Sequence, residues 1–167
     1  MTKYTGIKII SKVEVKDKKT LALVYTPGVA ASCLRIKENP QEVYDYTNKE
    51  NSAAVISFNY EEALKRAVFL KGSLGIDAYP FEISSNNPDK IKLVVENIEP
   101  SFGAIDLSLM EDYVRNIEFN VSIPVIKGRV ENLKEALLCV SKNLFMFNIE
   151  SLEGTTEEKS LQLRKMA

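Results

Sequence analysis

A parallel β-sheet covered by α-helices is the fold class this sequence predicts, and two observations predict it. From residue 53 onward, short apolar runs of strand length recur along the chain. Between them, apolar residues repeat at the spacing of a helix that turns one face to a sheet. Four such runs are present, Ala53 to Ser57, Ile76 to Ile83, Gly103 to Leu107 and Ile123 to Ile126, each short and apolar as buried parallel strands are.

The intervening segments carry their own signals. Tyr60 to Lys71 sets Ala63, Leu64, Ala67 and Val68 on one side and Glu61, Glu62, Lys65 and Arg66 largely on the other, so it is predicted helical. Ile91, Val94, Val95 and Ile98 follow i, i+3, i+4, i+7, with Asn87 as N-cap and Pro88 in the first helical position. Met110, Tyr113, Val114 and Ile117 repeat the spacing after the third strand, and Val130, Leu133, Leu137 and Val140 after the fourth. Gly72-Ser73-Leu74-Gly75 reads as a helix stop and turn.

Upstream, Ile7 to Val15 alternates apolar and polar residues and is expected to be an edge strand or an extended arm, with a turn at Asp17 to Lys19. Downstream, Leu144 to Ile149 is either a further strand or the end of the preceding helix. Thr155-x-x-Glu158 is a capping-box pattern that predicts a short terminal helix. The whole, 1–167, reads as one domain: an arm and signature segment over 1–50, an alternating core over 51–150 and a terminal helix over 151–167.

Charge and composition exclude several classes of function. The 167 residues hold 22 Lys and Arg against 23 Asp and Glu, a net charge of −1, which provides no long-range field for nucleic acid or an anionic membrane. Cys33 and Cys139 match no zinc or redox spacing, and there is no histidine to complete a site with them. The amino-terminal residues lack the apolar core of a signal peptide, and no run approaches the roughly 20 apolar residues that span a bilayer. A cytoplasmic location is expected. Without histidine, any acid–base step falls to Tyr, Lys, Asp, Glu or Cys.

The run Leu23-Val24-Tyr25-Thr26-Pro27-Gly28-Val29-Ala30, with Cys33 and Ile36 after it, resembles the tyrosine-bearing signature of malic enzymes. The resemblance, to the small bacterial type, continues through Val43 to Lys49, Asn51 and Ala54 to Ser57. It resumes at Gly75 to Pro80, Ile98 to Leu107 and Ile123 to Val125, in the family's order. It implies a three-layer α/β/α domain like the N-terminal domain of that family, whose members decarboxylate malate oxidatively with NAD(P) and Mg²⁺ or Mn²⁺. It further implies that Tyr25 is the family's proton donor to the enolate.

Other positions depart from the family pattern. Counting back from Gly75 puts Arg66 where the family has its catalytic lysine; a guanidinium keeps its proton and is not a base. Lys65 is adjacent, but one helical position rotates a side chain by roughly 100°. The glycine-rich run that the family places before this helix is missing. Ser108 and Leu109 occupy the places of the acidic metal-binding pair, and Lys127, Gly128 and Arg129 follow Ile126 where the family has its last carboxylates. Glu111 and Asp112 form an acidic pair three residues late, read as the solvated face of a helix, and Asp77 and Asp106 are read as structural. There is no G-x-G-x-x-G, so neither a nicotinamide site nor a metal site is expected, and no room is seen for a Rossmann-type domain.

Three functions compete. The first is a non-catalytic relative kept for association, as a homodimer or with an intact malic enzyme, since the family builds its dimer in this region. The second is a small-carboxylate binding module in which Arg66, with Lys65 and Lys127, clamps a ligand near Tyr25. The third is residual chemistry, such as enolate protonation by Tyr25 or malate oxidation with a partner's cofactor domain. Nucleic acid and membrane are not expected partners.

Overall fold

The computed structural model describes residues 6–128, which divide into two units after Lys49. In the first, residues 7–15 run without strand pairing, so they are an arm rather than an edge strand. Asp17 to Lys19 is not a turn, as the sequence reading expected. Asp17 caps a helix, α1 (Lys18–Val24), its carboxylate accepting from the Thr20 amide while the Thr20 hydroxyl accepts from the Asp17 amide, a reciprocal capping box. The peptide Thr26-Pro27 is cis.

Gly28 folds back on α1, its amide donating to the carbonyl of Ala22 at 2.8 Å. A Cβ there would lie 2.2 Å from the Leu23 carbonyl oxygen, so only glycine fits. Two helices follow, α2 (Ala30–Glu38) and α3 (Val43–Tyr46), joined by a 3₁₀ turn over Pro40–Glu42. Arg35 grips Glu42 with Nε at 2.8 Å and Nη2 at 2.9 Å, which fastens the turn to α2. No described residue of this unit is buried.

The second unit holds the sheet. Its elements are β1 (Ser52–Ser57), α4 (Tyr60–Phe69), β2 (Asp77–Glu82), α5 (Pro88–Ile98), β3 (Ala104–Asp106), α6 (Glu111–Val114) and β4 (Val125–Ile126). The strand order is β2-β1-β3-β4, every pair parallel. The chain leaves β1 toward one edge and, after crossing back from β2, proceeds from β3 toward the other, so the order reverses between β1 and β3. Right-handed crossovers then put α4 on one face and α5 and α6 on the other. This is an α/β fold of three layers.

Side-chain alternation along the strands agrees with those layers. Ala54, Ile56, Ile105 and Leu107 form one buried cluster with Ile91 and Val95 of α5 and with Met110, Val114 and Ile117. Ala53, Val55, Ala104 and Asp106 therefore face the α4 side, where Ala63 and Ala67 are fully buried. Small residues on both surfaces let α4 pack close to β1 and β2. Pro80 sits on edge strand β2, where a missing N–H costs no ladder bond.

The caps explain where the helices begin. Asn59 accepts from the amides of Glu61 and Glu62, and Asn87 from those of Asp89 and Lys90 ahead of Pro88. At its far end α4 widens into a π-helical turn, Leu70–Leu74, and Gly75 closes it at φ +76°. The helix expected over Met110 to Ile117 is a correction: a 3₁₀ turn, Ser108–Met110, precedes the single turn of α6, and Tyr113 is half exposed. Tyr113 instead stands edge-on to Phe58, with ring centres 4.9 Å apart. The helix expected over Val130 to Val140, the segment Leu144 to Ile149 and the terminal helix lie outside the described residues.

Two outcomes are expected from this packing. Ile105→Ala, a truncation at the fully buried centre of the sheet, should lower stability by about 2–5 kcal/mol in urea unfolding. The Asp17 carboxyl is held below the ordinary aspartate range first by the Thr20 amide and then by its hydroxyl. Its capping contribution is therefore complete above the unfolded aspartate pKa and disappears as pH falls through the lower folded value. The Thr20 amide resonance, followed by NMR against pH, should titrate at that lower value and lose the effect in Asp17→Ala.

Candidate functional site

The side chain that occupies the point of strand reversal is Asp106, the last residue of β3 and 1% exposed. Because Ile105 and Leu107 turn to the α5 side, Asp106 must turn to the α4 side, one helix away from water. Arg66, from the last turn of α4, reaches it there: Nε donates to Oδ2 at 2.8 Å. The other carboxylate oxygen, Oδ1, accepts from the Ser108 amide at 2.9 Å, a bond made by the 3₁₀ turn that follows the strand. The Arg66 side chain is 16% exposed, and its guanidinium lies 5.6 Å from the centre of the Phe69 ring.

Half of the guanidinium fork is thus unmatched. A carboxylate commonly takes Nε and Nη2 together, but the Ser108 amide has claimed the second oxygen of Asp106. Nη2 of Arg66 is buried with no protein acceptor. Charge is balanced in this pair, while hydrogen bonding is not.

Lys65 and Lys127 make their contacts elsewhere. Lys65 is 72% exposed and pairs with Glu61 at 2.6 Å, one turn back on α4. That contact raises its pKa, first through the hydrogen bond and then through the charge of Glu61. Lys127, half buried after β4, donates to the carbonyl of Ile117 and lies 5.3 Å from the Phe119 ring centre. Tyr25 belongs to the first unit, where it ends α1 with its amide bonded to the Leu21 carbonyl and its side chain 68% exposed. The turn that follows is shaped by the tight approach of Gly28 to α1, which gives the Thr26-Pro27-Gly28 segment a packing reason of its own.

A divalent cation needs several oxygen ligands held together. Ser108 and Leu109 supply no carboxylate, and Asp106 already serves Arg66 and the Ser108 amide. Glu111 bonds Arg115 at 2.8 Å, and Asp112 is exposed. Among the described residues no three Asp, Glu or Cys side chains gather into a cation cage. The described residues do not fit the metal that the resemblance implies. Arg129 lies outside the described residues.

Asp106 was read from the sequence as structural, and its service as the counter-ion of Arg66 was not seen. The signal available was an ionisable residue inside an otherwise apolar strand, Ala104-Ile105-Asp106-Leu107, since a charge there requires a partner. Asp77, the other aspartate so read, binds Lys71 at 2.6 Å near the closing turn of α4. Removing one member of the buried pair should cost more than removing both. Asp106→Ala is expected to lower stability by about 3–5 kcal/mol in denaturant unfolding, with the double replacement Asp106→Leu and Arg66→Met recovering most of the loss.

Comparisons with known proteins agree with the architecture. Residues 5–74 match the family model of the malic enzyme N-terminal domain. The bifunctional malic/malolactic enzyme of Bacillus subtilis (strain 168) is 40% identical over 111 residues, a match of 58% of this chain and 27% of that one. An NAD-dependent malic enzyme of Rhizobium meliloti (strain 1021) is 33% identical over 129 residues, 65% of this chain and 17% of its own length. The chain therefore spans about a quarter or less of these curated relatives.

Among solved structures, the malic enzyme from Pyrococcus horikoshii superposes with a TM-score of 0.63 at 30% identity, over 72% of this chain and 32% of its own. The NAD-dependent malic enzyme from Thermotoga maritima superposes with a TM-score of 0.59 at 29% identity, over 72% and 40%. Through its matched sequence and its parallel three-layer sheet, the chain is a relative of the malic enzymes that shares their N-terminal domain.

Proposed function

We propose that this chain is a malic-enzyme-type N-terminal domain without proton-abstracting or metal-assisted chemistry of its own, retained for association with a second copy or with a malic enzyme. The observation that carries the reading is the buried bond between Arg66 and Asp106. A base must give up its proton near neutral pH, and a guanidinium does not. Supporting it, Ser108 and Leu109 bring no carboxylate to the place where the resemblance implies a metal pair.

Association is supported by the first unit. Leu21, Leu23, Val24 and Leu34 present apolar surface, Leu23 at 68% and Leu34 at 59% exposure, on helices that bury none of their residues. Analytical ultracentrifugation of the purified chain should show self-association or, after mixing, a complex with a malic enzyme. Leu23→Asp should weaken it by roughly tenfold or more. The same preparation should give no malate-dependent reduction of NAD⁺ or NADP⁺, with or without Mn²⁺. A strictly monomeric chain that binds no malic enzyme, or measurable turnover, refutes the reading.

A second reading, a small-carboxylate binding module, is favoured by one atom: the buried Nη2 of Arg66 that no protein group satisfies. Here Arg66 alone is the ligand-binding residue the geometry supports. Lys65 and Lys127 are each engaged elsewhere.

A further inference from the structure

We draw no further inference here: the strongest candidate, the aromatic surface patch that half-exposed Tyr113 forms with Phe58 in the segments following β3 and β1, is an unpartnered face, and nothing in the structure shows what covers it.

Discussion

Asp106 carries a carboxylate into the middle of a sheet whose other buried positions on β1 and β3 are Ala, Val, Ile and Ser, and the surrounding structure is arranged around keeping it there. Removing an ion from water is expensive, and the attraction of a partner repays the cost only when further hydrogen bonds complete it. Arg66 provides the partner and the Ser108 amide the further bond. Each comes from a different element, so α4, β3 and the 3₁₀ turn after β3 are tied to one another through a single side chain. The small residues Ala63 and Ala67 permit this, because they bring α4 near enough to the sheet for Arg66 to reach across to β3.

That arrangement changes what the crevice can do. A parallel sheet with a reversal in strand order has its natural ligand position at the carboxyl ends of the two strands flanking the reversal. Here Asp106 ends β3 beside Val55 of β1, and both its carboxylate oxygens are already engaged, one by Arg66 and one by the Ser108 amide. Similarity to the malic enzymes concerns the fold, and a fold does not by itself carry a function.

The first unit follows different physics. Its helices are held by local bonds: the Asp17–Thr20 box, the Arg35–Glu42 grip and the Gly28 approach to α1. None of its described residues is buried, so little of its stability comes from a core of its own. Its best-recognised stretch, around Tyr25, has a steric reason to persist in the closeness of Gly28 to the backbone of α1.

Much of the sheet was legible from residues alone, because buried parallel strands are apolar runs and their covering helices repeat at 3.6 residues. Ser52–Ser57, Asp77–Glu82 and Pro88–Ile98 fall within a residue or so of where those patterns place them. Asp17 to Lys19 misled because a capping box looks, in isolation, like a polar turn. The helix after β3 came out short because Met110, Val114 and Ile117 bury themselves from a 3₁₀ turn, one α-helical turn and the bend after it.

The expectation that Arg66 stands where the resemblance implies a lysine base came from the sequence, since it depends only on counting back from Gly75. The bond from Arg66 to Asp106 did not, because it joins residues 40 apart. Which aspartate faces which helix follows from strand pairing and crossover hand. By itself, then, the sequence determined the family relationship, the layers and the chemical character of each group. Only the tertiary structure decided which charges meet, because that depends on how α4 lies across the sheet, and hydrophobic burial places helices without regard to the polar atoms they bring together.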